Sequence, residues 1–441
     1  MTQSTPSPSD LHNRDISKVR TFPRPVDVHN LVGSSGPGGS RRRVFRSRSR
    51  HRLRTLLSVL AALVLLLTGL QSAHADTTSA GSAENGTRLM SGTALYPRVI
   101  RLQHSGHANG RIIASVVTFD GPDGIGAILA STNNGRSFHR IGSIADPGAS
   151  QGLCCSTLYE LPRRVGHLRA GTLLWSASVG QAATDRRMTL PVWASTDHGR
   201  TWNKLGTVAT ATNTGGLWEP EFAVSRDGRL VLYVSDETQQ PTYSQTLVES
   251  VSRDGSTWTS LKNVVAASDS SLRPGMAVVR KVRGGGYLMS YEICGPGQEC
   301  SQHVRRSSDG IGWGDPTDLG SLITSTDGSG FRHAPTISWY ADGTRGGALL
   351  AVGQMLYDSA GEVAEGNGST ILTTTGAPEG TWTAAPAPVR IAAPYNNYCP
   401  NYSSSLLPLP ERHQLLELAT GYDSDGVCTT YFATGPLPRT H

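Results

Sequence analysis

Six times along the chain, a polar and usually glycine-containing turn is followed by a short apolar run of five or six residues. These runs occupy 111–116, 172–176, 229–234, 287–291, 348–352 and 414–418, and successive starts are 57–66 residues apart. A period of that length predicts repeated units of four short strands, the blades of a propeller, with these runs as the inner strands. The expected fold is therefore all-β, a six-bladed β-propeller. Residues from about 86–100 are expected to help the C-terminal strands close the ring. No long helical periodicity interrupts the pattern.

A second repeat runs in register with the first. Ser195-Thr196-Asp197-His198-Gly199-Arg200-Thr201-Trp202 matches the Asp-box, and 131–138 matches with Asn133 in place of Asp. Versions one residue shorter lie at 252–258 and 307–313, and Gly380-Thr381-Trp382 is a remnant. Such a box is a turn whose Asp caps backbone N–H groups and whose Gly takes a conformation closed to other residues. It is structural and carries no chemistry.

Composition agrees with many strands joined by turns: 50 Gly and 25 Pro in 441 residues. The net charge of +6 conceals two regions of opposite sign. Residues 1–55 hold 12 Lys+Arg against three Asp, residues 56–75 hold no charge, and 76–441 hold 28 Lys+Arg against 31 Asp+Glu. A body at −3 offers nothing to nucleic acid. The arginines from Arg41 to Arg54 precede the apolar run 56–70 and then Ala73-His74-Ala75, an arrangement that predicts an export signal cleaved after Ala75. Arg42-Arg43-Val44-Phe45 is also like a twin-arginine signal. The division expected is a polar, basic extension over 1–54, the signal core and cleavage site over 55–75, and the propeller over 86–441. The mature protein is expected to be secreted, monomeric and free of stable membrane association.

All six cysteines follow the cleavage site. Pairing Cys294 with Cys300 and Cys399 with Cys428 is the expectation, with the adjacent Cys154 and Cys155 left open. No spacing resembles a metal site, and no cofactor motif is present.

Chemistry is expected where strand ends meet the channel. Glu219, between Trp218 and Pro220, and Glu292, beside Tyr291, each end an apolar or aromatic run, 73 residues apart. They suit adjacent blades facing a common centre. Paired carboxyl groups are what glycosidic cleavage requires, one protonated and one ionised. The apolar setting of Glu219 favours the acid role. Asp236 and Glu237 end the strand between them. Arg98, Arg273 and Arg332 are candidates for binding substrate or pairing with the acids, His333 for a wall position. Tyr395, Tyr398 and Tyr402 cluster in the last blade. No nucleophilic Ser or Cys elbow appears.

The series Tyr96-Pro97-Arg98, 158–162, Trp218-Glu219-Pro220, 233–237, Arg273-Pro274-Gly275-Met276 and Tyr291-Glu292 resembles the exo-1,5-α-L-arabinanases of glycoside hydrolase family 93, within the sialidase-like superfamily. The resemblance runs from about residue 90 to 435. It implies a six-bladed propeller releasing arabinobiose from linear arabinan with retention of configuration. It also implies catalysis by Glu219 as acid/base, Glu292 as nucleophile and an assisting tyrosine, Tyr402 before Tyr395. The substrate-binding set expected is Arg98, Trp218, Asp236, Glu237, Arg273, Tyr291, Arg332, His333 and Tyr395. The cysteine-bearing insertions depart from the family pattern. Two other readings are carried: a sialidase, with Arg98, Arg273 and Arg332 as its arginine triad and Asp120 or Asp123 as acid, and a non-catalytic carbohydrate-binding propeller.

Overall fold

The computed structural model describes residues 79–284 and 286–438. The basic extension and the signal-like segment lie outside the described residues, so the export expectation is not tested by the fold.

Six antiparallel sheets surround a channel. Their innermost strands are Leu95–Arg101, Leu153–Glu160, Leu217–Val224, Arg273–Lys281, Thr336–Tyr340 and Ser405–Leu409, and each touches the innermost strands of both neighbouring blades, closing the circle. The apolar runs read from the sequence fall in Ile112–Asp120, Leu173–Val179, Leu230–Asp236, Tyr287–Cys294, Ala348–Val352 and Gln414–Tyr422. These are the second strands of their blades, and the expectation that they would be innermost is corrected. A second strand is covered on both faces by neighbouring sheets, so it reads as a continuous apolar run. The innermost strand must also carry the polar residues of the channel and is less apolar.

Closure follows from a short N-terminal strand. Thr87–Arg88 pairs with the C-terminal strand Cys428–Pro436, in the register Thr87↔Phe432 and Arg88↔Tyr431, and becomes the outer strand of blade 6. Leu95–Arg101 instead opens blade 1. The first and last strands of the described residues are thus held in one sheet, which leaves the ring without a free seam.

The hydrophobic cores lie between sheets. Trp175, fully buried, is shared by blades 1 and 2, and Phe222 by blades 2 and 3. Gly126 permits the first contact, because a Cβ there would stand 2.7 Å from the Trp175 ring. At the far end of the blades, Asp197 accepts from the backbone N–H groups of Arg200 and Thr201, and Asp254 from those of Ser256 and Thr257.

Candidate active site

The channel mouth is built from one backbone feature repeated in all six blades. Near the start of each innermost strand a residue other than glycine takes a left-handed conformation: Tyr96 (φ 51°), Cys155 (59°), Glu219 (49°), Met276 (57°), Ala334 (47°) and Ser403 (55°), joined in blades 5 and 6 by His333 (62°) and Asn401 (58°). In blades 1 to 4 the pairing register shifts at this point, as at a β-bulge. Left-handed backbone costs a residue with a Cβ about 1 kcal/mol or more and persists where the surroundings enforce it. The bulge turns the strand end toward the axis.

Glu219 sits on the bulge of blade 3, 6% exposed. Its backbone N–H donates to Ser178 Oγ of blade 2 at 3.2 Å. Burial pushes its carboxyl up to about 8, with a hydrogen bond to Ser235 opposing and the Glu292 charge adding to the rise. The Ser235 hydroxyl also accepts from the Met276 N–H at 3.0 Å, so it ties blade 3 to the bulge of blade 4.

Glu292 lies near the end of the second strand of blade 4, Tyr287–Cys294, not on an innermost strand, and is 2% exposed. Its Oε2 accepts from the Ala334 N–H of blade 5 at 2.7 Å. Burial raises its carboxyl to about 7, while the Ala334 bond and Arg273 oppose the rise. Cys294, disulfide-bonded to Cys300, places its Sγ 3.5 Å from Glu292 Oε1. The His333 ring lies near both sulfurs, but a disulfide supplies no thiolate, so these three groups do not form a metal site.

Arg273 is oriented by Glu237 Oε1 (2.5 Å), Gln245 Oε1 (2.8 Å) and the Ser244 carbonyl (3.1 Å). Glu237 also accepts from the Gly216 N–H at 2.9 Å and from Trp218, and lies 3.5 Å from Arg186. Burial works to raise the Glu237 carboxyl, but Arg273 and these donors outweigh it and hold it below its ordinary value. Arg186 in turn stands 5.5 Å from the Trp218 ring centroid.

Tyr402, preceding the left-handed Ser403 of blade 6, is buried, and its Oη lies 3.6 Å from Met276 Sδ. Burial, followed by the charges of Glu219 and Glu292, raises its hydroxyl far above the ordinary tyrosine value. Its ring centroid is 6.2 Å from that of Tyr96. Arg98 lies 4.3 Å from the Tyr96 ring centroid and donates to Ser403 through both its carbonyl and its hydroxyl, each at 3.1 Å, locking blade 1 to blade 6.

Glu219, Glu292, Tyr402, Arg273, Glu237 and Trp218 are thus brought together. Tyr291 is not: it is fully buried, with its hydroxyl donating to the Leu319 carbonyl at 2.7 Å, because it opposes the bulge and faces the core. Asp236 caps its own turn through the Thr238 N–H. Arg332 stacks 4.0 Å from the Tyr357 ring centroid, and Tyr395 is an exposed residue beside Gly81. The sequence reading assigned no role to Ser178, Ser235, Met276 or Ala334, because all four act through small hydroxyls or backbone amides that carry no motif. Cys154 and Cys155 are bonded to each other, and Cys399 to Cys428. A cavity of about 530 Å³ lies at the opposite end of blades 1 and 2, lined by His104, His167, Arg169 and His198, away from the carboxyl groups.

No protein-family model matches the chain, and no curated protein matches it. Solved structures do. The α-L-arabinanase of Penicillium chrysogenum, complexed with arabinobiose, is 23% identical over 82% of this chain and 100% of its own, with a TM-score of 0.67. The GH93 α-L-arabinofuranosidase of Fusarium graminearum, also with arabinobiose, is 23% identical over 81% and 98%, with a TM-score of 0.64.

This chain has their fold.

A Hadza microbial sialidase is more distant, at 15% identity over 78% of this chain and 66% of its own, with a TM-score of 0.53.

Proposed function

We propose that the protein is a secreted, retaining exo-glycoside hydrolase acting on α-1,5-linked arabinan, with an arabinose oligosaccharide chain as substrate. The observation that carries this reading is the pair Glu219 and Glu292. They are two buried carboxyl groups from adjacent blades, close enough for the Glu292 charge to raise Glu219, at the mouth of a fold shared with enzymes solved with arabinobiose.

Glu219, the more strongly raised of the two, holds its proton near neutral pH and gives it to the departing glycosidic oxygen. Glu292, held by the Ala334 N–H and stabilised as an anion by Arg273, attacks the anomeric carbon and forms a glycosyl-enzyme. Glu219, now ionised, takes a proton from water, which attacks the same carbon and frees Glu292. Tyr402 stays protonated beside both acids and is placed to donate a hydrogen bond as charge moves between them. Three disulfides support an oxidising compartment and hence export.

The sialidase reading is disfavoured by the state of its arginines. Arg98 is spent on Ser403, Arg273 on Glu237 and Gln245, and Arg332 on Tyr357, so they do not form one carboxylate clamp. The test is product analysis of the mature protein with debranched arabinan. Arabinobiose released with retained anomeric configuration, and loss of at least about 10³-fold in kcat for Glu292→Gln, is expected. Binding without turnover, unchanged in Glu292→Gln, would mean a carbohydrate-binding propeller instead.

A further inference from the structure

The bulge position that carries Glu219 in blade 3 carries Cys155 in blade 2, and Cys155 is bonded to its own neighbour, Cys154. Neither sulfur has a part in the chemistry assigned to Glu219 and Glu292. Yet both lie beside it. Cys154 pairs across the sheet with Ser178, the residue whose hydroxyl accepts the Glu219 N–H. Cys155 is 3% exposed in an apolar cluster with Tyr96, Met276, Ala334 and Tyr402, which stand at the starts of the innermost strands of blades 1, 4, 5 and 6. Cys154 is half-buried and packs both against that cluster and against the core between blades 2 and 3.

A disulfide ordinarily stabilises a protein by closing a loop, and the effect grows with loop length. Cys399–Cys428 closes 29 residues and fits that role. A bond between residues one apart closes no loop and restrains almost nothing in the unfolded chain. What it does change is the local surface. Two linked sulfurs carry no hydrogen on sulfur, present a polarizable apolar patch and cannot rotate away from each other. The pair therefore forms a fixed plate, continuous with Tyr96, Met276 and Ala334, in a site whose polar groups are two carboxyls, a tyrosine hydroxyl and a guanidinium. A sugar ring has a face that exposes C–H groups, and such a face needs a surface that does not compete for its hydroxyl hydrogen bonds.

We infer that the Cys154–Cys155 disulfide is the apolar platform on which the C–H face of a sugar ring rests beside Glu219 and Glu292, a positioning element for substrate. The inference rests on the glycosidase reading. Since the plate touches the ring equally before and during bond cleavage, it contributes uniform binding and acts on KM rather than on kcat.

The test compares the wild-type protein with Cys154→Ala/Cys155→Ala, using debranched arabinan for kinetics and arabinobiose for binding by calorimetry. A rise in KM of roughly 5–20-fold, with a matching loss of arabinobiose affinity and kcat changed less than about threefold, is expected. An unchanged KM and affinity in the variant, with the wild type active, would overturn the platform and leave the glycosidase reading intact. A wild type that neither binds arabinobiose nor cleaves arabinan would overturn that reading itself, and the platform with it. Should the alanine variant not fold, Cys154→Ser/Cys155→Ser, closer in volume, makes the same comparison. Failure of both to fold assigns the pair to the scaffold and overturns the proposal. The unreduced tryptic peptide 141–163 holds these two cysteines and no others. It should be two hydrogens lighter than its reduced form and resist alkylation, and alkylation of both thiols without reductant also overturns the inference.

Discussion

Ala334, in blade 5, donates its backbone N–H to Oε2 of Glu292, in blade 4, at 2.7 Å. The donor is available because Ala334 is left-handed, at φ 47°, and this conformation aims its amide across the blade boundary. The carboxyl of one blade is thus oriented by the left-handed strand start of the next.

That geometry can be tested at Ala334 without touching an acid. Glycine occupies left-handed backbone at no steric cost, whereas a β-branched residue does so poorly. Ala334→Gly should keep activity and raise stability by about 0.5–1 kcal/mol, whereas Ala334→Val should lower both. Urea unfolding and kcat/KM on arabinan read the two effects. Equal behaviour of the two variants would contradict the role given to the left-handed strand start.

The pH dependence of kcat/KM should be bell-shaped. Activity requires Glu292 ionised and Glu219 protonated, so it rises as pH passes the Glu292 value, about 7, and falls past the Glu219 value, about 8. The limbs belong to the coupled pair. The Glu237 charge contributes to the elevation of Glu219, so Glu237→Gln should move the alkaline limb to lower pH. A limb that stays in place would remove Glu237 from the site's electrostatics.

Glu237 also has a structural part. It is buried, and Arg273, Arg186, Trp218 and the Gly216 N–H all converge on its two oxygens. Removing one partner of a buried ion pair leaves the other uncompensated. Glu237→Ala should therefore cost about 3 kcal/mol in chemical denaturation. A loss below about 1 kcal/mol would show that Arg273 and Arg186 find other partners.

A fourth expectation concerns Glu417, in the second strand of blade 6, whose carboxyl accepts from the Val389 N–H at 2.9 Å. Burial raises it to about 8 from an ordinary value of 4.5, so the folded state holds this proton more tightly than the unfolded state. The stability it contributes is complete below about pH 4.5 and is lost as pH climbs toward 8, in the same sense as Glu219 and Glu292. Glu417→Gln keeps the acceptor and removes the titration. Its Tm should decline less between pH 5 and 8.5 than that of the wild type, and parallel curves would refute the assignment.

The number of blades and two of the three disulfides were legible in the sequence, and Glu219 and Glu292 could be singled out there as candidates, each for a local reason. Fully covered second strands must be continuously apolar, turns need their Gly and Asp, and an acid between Trp218 and Pro220 stands out against its surroundings. Which strand is innermost was not legible, because apolarity reports how completely a strand is covered, not its distance from the axis. Tyr291 shows the same limit: beside Glu292 in the chain, it faces the core, because side chains alternate across a strand and it lies opposite the bulge. Only the closed ring decided that Ser178, Ser235 and the Ala334 amide would hold the two acids, and that Cys154 and Cys155 would lie beside them. Those relations join residues 41 or more positions apart. They exist because six left-handed residues, a backbone property no residue type announces, stand at the starts of strands around one axis.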